Sequence, residues 1–217
     1  MRMQNFALAG AAAAVLALAA GCAHPDRSRN LADPKVSATT LAQQVCSNCH
    51  GMTGNSVSPN FPNLAGQQPA YFIAQLNGFR SHSRQDPAGF EYMWGLSRSL
   101  TDAQTEGLAA YYAAQKALAQ PVEGERGRID AGKAIFETGI AANSVPACMG
   151  CHGAQGQGMA TFPRLAGQHA DYVVKQLIVF QRTDERPEGT LMKTVAHQLT
   201  RQDIDDVAGY VQTLASP

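Results

Sequence analysis

The sequence has no excess of charge of either sign. Lys plus Arg and Asp plus Glu each total 17 of the 217 residues, so the formal net charge at neutral pH is +0. Proteins that bind nucleic acids or anionic membranes through electrostatic attraction carry a basic excess. The composition therefore disfavours both kinds of partner.

Long apolar runs are also scarce. The main one extends from Phe6 to Ala20, which is shorter than the roughly 20 residues needed to cross a bilayer core. It follows Arg2 and ends in small residues, as secretory signal peptides do. We therefore predict a signal peptide over residues 1–21 and export of the mature chain.

Cysteine is sparse, and Cys22 is the one of five that has no paired neighbour. It directly follows Ala-Ala-Gly in an order that resembles a bacterial lipobox, although Ala19 stands where such boxes usually carry Leu. Lipidation at Cys22, which would attach the protein to a membrane, and simple cleavage are both compatible with this pattern. Residues 22–36 are polar and rich in Pro, and we predict a flexible leader there.

The other four cysteines form two copies of the pattern Cys-x-x-Cys-His, the attachment signature of c-type haem. The copies are Cys46, Cys49 and His50, and Cys148, Cys151 and His152. Two disulfides would be permissible in an exported protein, but they leave both histidines unexplained. Zinc would require four ligands at each site. The motifs therefore predict two covalently bound haem c groups, each with its iron on the adjacent histidine.

The two haem motifs belong to one unit that is written twice. Three motifs recur in the same order: the haem motif at an offset of 102 residues, Phe-Pro-x-Leu-Ala-Gly-Gln from Phe61 and Phe162 at 101, and Met-x6-Leu-Thr from Met93 and Met192 at 99. Ordered motifs at a nearly constant offset indicate a tandem repeat. We predict domains at residues 37–118 and 129–217, joined by a Pro- and Gly-containing linker at 119–128.

Apolar residues recur at helical spacing in both units, and no stretch alternates convincingly, so we predict an all-α protein. In each unit one helix should lead into the haem motif. A second is predicted at about 69–80 and 169–181. The last should open at Thr101 and Thr200, and the former pairs with Gln104 in a capping box.

The function depends on the second axial ligand of each iron, because an open iron binds small molecules whereas a closed one mainly passes electrons. Met93 and Met192 coincide under the repeat and lie just before the last helix of each unit. In a loop there, their thioethers could close over the haem face opposite His50 and His152. The alternative is that they fill the core. Their paired placement favours the iron-ligand interpretation.

Four further pairs of matched residues are predicted to line the haem pockets: Pro62 and Pro163, Leu64 and Leu165, Gln67 and Gln168, and Tyr71 and Tyr172. The proline carbonyls should accept the second ring N–H of the ligating histidines. The leucines should pack on the ring, and the polar pairs should meet the propionates or else cap the following helix. Trp94 corresponds to Lys193, so the two pockets cannot be identical.

With these motifs the chain resembles the dihaem cytochromes c of the c4 type over roughly residues 37–215. The resemblance implies two class I cytochrome c folds related by approximate twofold symmetry, with the propionate edges close together. It also implies a periplasmic carrier, not an enzyme, that passes electrons one at a time from a respiratory quinol-oxidising complex to a terminal oxidase or reductase. The alternatives are a subunit docked on a periplasmic dehydrogenase or oxidase, and a dihaem peroxidase.

Overall fold

A computed structural model of the chain describes residues 31, 33–121 and 126–215, and these ranges are helical without a strand, as predicted. The predicted signal peptide and Cys22 lie outside the described residues. The α-helices are α1 (Ala38–Leu41), α2 (Ser47–His50), α3 (Pro69–Arg80), α4 (Pro87–Ser97), α5 (Asp102–Ala113), α6 (Arg126–Thr138), α7 (Met149–His152), α8 (Ala170–Arg182), α9 (Thr190–Ala196) and α10 (Arg201–Thr213). None of these helices has the length and apolar character that crossing a bilayer requires.

The helices pack in the same way in both halves. In the first half α1 contacts α5, and α3 contacts α4 and α5. In the second half α6 contacts α10, and α8 contacts α9 and α10. Each half has a hydrophobic core of its own, one around Leu108 and Tyr112 and the other around Phe136 and Ile204. The first core also includes Val36, the end of the predicted leader, which is buried.

Several helix boundaries follow from capping chemistry visible in the sequence. α3 begins at Pro69, whose missing N–H is tolerated in the first turn of a helix. At the start of α5, Thr101 and Gln104 exchange the two hydrogen bonds of a capping box. Thr200 and Asp203 form an equivalent box at the start of α10. The predicted starts of α3, α5 and α10 and the predicted box at Thr101 are confirmed, because each depends on residues close together in the sequence.

The prediction of a helix leading into each haem motif is correct for the first domain only. There α1 continues through a π-helical turn, Ala42–Cys46, directly into α2. In the second domain α6 ends at Thr138, well before Cys148. Gly139 follows with a φ of 73°, the left-handed conformation that commonly ends a helix.

The predicted methionine loops are wrong, because both methionines lie in helices. Met93 is in α4, which opens with Pro87 in its first turn. Met192 is in α9, which has Ala196 as its buried residue. Helices that bury so few apolar side chains show little periodicity, so their sequences do not reveal them.

The first and last helices of each domain cross at a glycine. A Cβ atom on Gly107 in α5 would lie 2.6 Å from the Cβ of Ala38 in α1. A Cβ on Gly132 in α6 would lie 2.0 Å from the carbonyl oxygen of Asp206 in α10. The missing side chains therefore allow both crossings, and the first crossing fixes the position of the haem motif that follows α1.

Two symmetric sets of hydrogen bonds join the domains. The Gln168 amide donates to the Asn63 carbonyl at 2.9 Å and accepts from the Asn63 N–H at 2.8 Å. The Gln67 amide donates to the Arg164 carbonyl at 3.2 Å and accepts from the Arg164 N–H at 2.7 Å. The two sets are related by the repeat, so the domains pair about an approximate twofold axis.

A buried polar cluster, which we call the interface cluster, also spans the two domains. Its members are Tyr71, Gln75, Arg84, Asp86, Tyr172, Gln176, Arg186 and Glu188. Arg84 donates to Asp86 at 2.6 Å, and Arg186 donates to Glu188 at 2.9 Å. Across the interface, Arg186 donates to Gln75 at 2.8 Å. Both buried guanidinium groups are therefore paired with a carboxylate, as a stable buried charge requires.

Asp86 is the fully buried carboxylate of the interface cluster. Burial alone would raise its pKa, but the hydrogen bond and positive charge of Arg84 outweigh burial and hold the pKa below its ordinary value. A lowered pKa in the folded state adds stability above the ordinary pKa, and this stability is lost as the pH falls through the folded-state value. The pairing of the domains should therefore weaken in acid.

Replacing this carboxylate by an amide tests its contribution. We expect Asp86→Asn to lower the free energy of unfolding at neutral pH by about 3 kcal/mol, because Arg84 is left buried without its counter-charge. Asp102→Asn is the matched control, since Asp102 and its partner Arg80 are 79% and 30% exposed and an exposed pair contributes at most about 1 kcal/mol. Denaturant unfolding measures both, and equally small losses would contradict the prediction.

Candidate haem sites

Local helical geometry brings the members of each haem motif together. In the first domain they are Cys46 at the end of the π-helical turn, and Cys49 and His50 in α2; in the second they are Cys148 at the start of α7, and Cys151 and His152 within it. Residues three and four apart on a helix share one face, so two thiols and an imidazole point to the same side. All four thiols are free, which excludes a disulfide between the motif cysteines.

The two motif histidines are oriented by identical backbone contacts. Nδ1 of His50 lies 2.9 Å from the carbonyl oxygen of Pro62, and Nδ1 of His152 lies 2.9 Å from that of Pro163. These are the contacts expected from the sequence. A carbonyl only accepts, so Nδ1 carries the proton and the lone pair of Nε2 remains available.

The protonation state of the histidines also suits an iron ligand. Burial lowers the pKa of His50 and His152, and the hydrogen bonds to Pro62 and Pro163 oppose that effect only in part. Both imidazoles are therefore neutral at neutral pH. A neutral ring with an unprotonated Nε2 is the form that binds a metal.

The surroundings of the cysteines do not form a zinc site. Burial raises the pKa of Cys46 and of Cys148 to about 11, so both thiols are protonated at neutral pH and neither is a reactive nucleophile. Moreover, no group of three or more His, Cys, Asp or Glu side chains in the described ranges is arranged to hold a metal ion. The donor set therefore fits haem attachment better than zinc.

Each predicted methionine ligand lies on the same apolar cluster as its haem motif. Met93, Leu64 and Cys46 pack against the core of the first domain. Met192, Leu165 and Cys148 pack against the core of the second. All six side chains are partly buried, so the structure brings together in each domain the predicted thiol, leucine and thioether.

The four residues that were predicted to contact the propionates lie in the domain interface. The amides of Gln67 and Gln168 bind the backbone of the opposite domain, and each also accepts the N–H of the following residue at the helix start. The hydroxyls of Tyr71 and Tyr172 lie 3.4 Å from an arginine of the opposite domain in the interface cluster. Helix capping by the glutamines, the alternative considered from the sequence, is thus present, and contact with propionates stays a prediction.

Arg164 is a buried cation that the repeat comparison did not reveal, because its counterpart is Asn63. It is 7% exposed, its Nε donates to the carbonyl of Ala166, and its Nη2 has no hydrogen-bond partner in the described chain. Burial lowers the pKa of its guanidinium, with no opposing effect of a nearby acid. A buried cation without a counter-charge is costly, so this position fits an additional anionic group such as a haem propionate.

Comparison with known proteins agrees with this geometry. The profile of the family described as Cytochrome c matches residues 37–115 and 129–215. Cytochrome c4 of Pseudomonas aeruginosa is 39% identical, over 78% of this chain and 84% of its own length. The chain belongs to the cytochromes c of the c4 type. Its fold is accordingly a tandem pair of class I cytochrome c domains, as the sequence predicted.

Further relatives of this c4-type cytochrome support the same conclusion. The solved structure of cytochrome c4 from Acidithiobacillus ferrooxidans superimposes with a TM-score of 0.70, at 41% identity, over 78% of this chain and 98% of that one. A protein named thiosulfate dehydrogenase electron acceptor, from Stutzerimonas stutzeri, is 31% identical over 97% of this chain and 95% of its own. The two domains bind two covalent haem c groups and serve electron transfer, and both Cys-x-x-Cys pairs fit the attachment sites.

The glycine that follows the first motif histidine offers a direct test of the site geometry. Gly51 has a φ of 76°, and a Cβ there would lie 2.3 Å from the carbonyl oxygen of Asn55. We expect Gly51→Ala to lower the free energy of unfolding by roughly 1–3 kcal/mol because of this strain, and to reduce the haem content of the purified protein, measured from the reduced absorption spectrum.

The matched control is Gly150→Ala, which changes a glycine inside the second haem motif. A Cβ on Gly150 would meet nothing within 4 Å, and alanine is favoured over glycine in a helix by about 0.5–1 kcal/mol. We therefore expect unchanged haem content and equal or higher stability. A loss like that of Gly51→Ala would contradict the interpretation.

Proposed function

We propose that this c4-type cytochrome carries electrons one at a time in the periplasm, between a quinol-oxidising complex of a respiratory chain and a terminal oxidase or reductase. The observation that supports the proposal is the duplication of one arrangement. In both domains a neutral histidine is held by a proline carbonyl, and a methionine packs on the apolar cluster that contains the first motif cysteine. The two domains share this arrangement, whereas an enzyme with one reactive iron would require a different arrangement in one of them.

In this proposal His50 and Met93 are the axial ligands in the first domain, and His152 and Met192 are those in the second. The bound haem supplies a reversible one-electron change at its iron. A soft, neutral thioether favours the ferrous state and so raises the reduction potential. As iron ligands, the methionines would also occupy the position at which peroxide binds, so they suit a carrier better than a peroxidase.

The protein around the sites would keep the two haems in a fixed arrangement. The side chains of Gln67 and Gln168 both bind the backbone of the opposite domain. Together with the interface cluster, these contacts hold the two domains in one relative position. A fixed geometry favours electron transfer between domains, because the distance and orientation of the two haem sites need no adjustment at each step.

A second candidate is a cytochrome subunit docked on a periplasmic dehydrogenase. It is favoured by the likeness to the thiosulfate dehydrogenase electron acceptor over almost the whole chain. A carrier that detergent has extracted from the membrane, together with any lipid on Cys22, should elute from size exclusion without a second protein. Elution with a dehydrogenase, at constant stoichiometry, would favour the subunit.

The ligand assignment is tested by replacing each methionine in turn. We expect the oxidised protein to show the weak red absorption band of methionine-ligated ferric haem with equal contributions from both haems. Met93→Ala and Met192→Ala should each abolish half of this band. Each should also lower the potential of one haem by on the order of 0.1 V, within the ~0.8 V range over which axial ligands act.

Two other methionines provide controls of the same residue type. Met52 and Met159 are 55% and 53% exposed and lie outside both apolar clusters. Met52→Ala and Met159→Ala should leave the band and both potentials unchanged. Absence of the band from either haem of the unaltered protein, or rapid turnover of hydrogen peroxide, would refute the carrier proposal.

A further inference from the structure

The helices that carry the two methionines are held against their domains by different kinds of side-chain contact. The residues on either side of Met93 are Tyr92 and Trp94, whereas those on either side of Met192 are Leu191 and Lys193. The repeat matches these positions one to one. Aromatic side chains in the first domain are thus replaced by an aliphatic and a charged side chain in the second.

On one flank, an aromatic contact ties α4 to the loop that holds the first histidine. The rings of Tyr92 and Phe61 are 6.3 Å apart at their centroids and meet at 79°, an edge-to-face contact. Phe61 in turn lies edge-to-face on His50 at 6.2 Å, and it directly precedes Pro62, whose carbonyl orients that histidine. The segment with the methionine is therefore in direct contact with the segment that orients the histidine.

The second domain keeps only half of this chain of contacts. Phe162 lies on His152 at the same distance, 6.2 Å. The residue that corresponds to Tyr92 is Leu191, which has no ring, although the two side chains are similarly exposed, at 61% and 56%. α9 therefore lacks the edge-to-face contact that α4 makes with the histidine loop.

The other flank differs as well. In the first domain Trp94 packs on the ring of His82 at 4.9 Å and on that of Phe90 at 6.1 Å. The guanidinium of Arg98 lies 5.0 Å above the Trp94 ring. These side chains form a continuous stack along α4.

In the second domain the matched positions carry opposite charges. Lys193 replaces Trp94, and Asp184 replaces His82 at an offset of 102 residues. They form an ion pair in which Lys193 is 38% and Asp184 90% exposed. Dissolved salt screens an exposed pair strongly, whereas it has little effect on ring packing.

From these contrasts we propose that the two axial methionines differ in lability, with Met192 displaced from its iron more readily than Met93, and that raising the ionic strength widens the difference. Tyr92 and Trp94 are positioning residues for Met93. The Lys193–Asp184 ion pair positions Met192 more weakly and in a way that depends on salt. The inference rests on the proposed His/Met ligation.

Imidazole, which competes with methionine for ferric haem, tests this in the oxidised, full-length holoprotein. As imidazole is added, the red band should be lost in two steps, one for each haem. The step that needs less imidazole, here called the tighter step, should be absent from Met192→Ala. Between about 0.01 M and about 1 M salt, over which the screening length falls from about 30 Å to about 3 Å, the tighter step should tighten further while the weaker one stays constant.

Exchange of the matched residues makes the test specific to their chemistry. Tyr92→Leu should tighten the weaker step by roughly 2- to 12-fold, the range that an aromatic pair contributes, and Tyr92→Phe, which keeps the ring, should not change it. Leu191→Tyr should weaken the tighter step. The double variant His82→Asp with Trp94→Lys should give the weaker step a dependence on salt.

Two kinds of failure are distinguishable. If both haems show the methionine band but bind imidazole with equal affinity at every salt concentration, the difference in lability is disproved and the ligation stands. The same holds if Tyr92→Leu leaves the first-domain step unchanged. If the band is missing from one haem before imidazole is added, the ligation itself is wrong.

Discussion

The hydrogen bond from the motif histidine to a proline carbonyl is the interaction on which both halves of this protein depend. At 2.9 Å in each domain it fixes the tautomer of the imidazole and the orientation of its ring. It also places the Phe-Pro-x-Leu-Ala-Gly-Gln loop against the haem motif. The other members of that loop then have defined positions: the phenylalanine ring lies on the histidine, the leucine on the core, and the glutamine in the interface. One short loop therefore couples the orientation of the motif histidine to the pairing of the domains.

Residues close together in sequence were predictable, because their geometry is local. The haem motifs, the histidine contacts and the capped starts of α3, α5 and α10 all follow from spacings of a few residues or from the repeat. The interface cluster was missed, since it joins Arg84 to residues about ninety positions away. A signal was nevertheless present, because Arg84 and Arg186 share the offset of the haem motifs. No such signal exists for Arg164, whose counterpart is an asparagine, and the helices around Met93 and Met192 bury too little to be recognised.

The interface departs from perfect symmetry in its carboxylates. Both arginines are buried, but Asp86 is fully enclosed whereas the Glu188 side chain is 38% exposed. A buried ion pair often adds little net stability compared with apolar packing, although losing one partner is costly. The cluster is therefore better suited to specify one relative arrangement of the domains than to hold them together by its own energy. An electron carrier with two haems needs such an arrangement, because transfer between the sites depends on a constant separation.

The places at which the two domains differ limit where their haems can acquire different properties. Two contacts of the motif histidines are the same in both domains: the hydrogen bond has the same length and the phenylalanine contact has the same centroid distance. These histidine contacts should therefore contribute equally to the reduction potentials of the two haems. The side chains around the two methionines do differ, being aromatic around Met93 and ionic around Met192. Arg164 adds a buried charge that has no counterpart in the first domain. Since burial and nearby charge are among the factors that set a haem potential, these residues are places from which a difference between the two haems can originate.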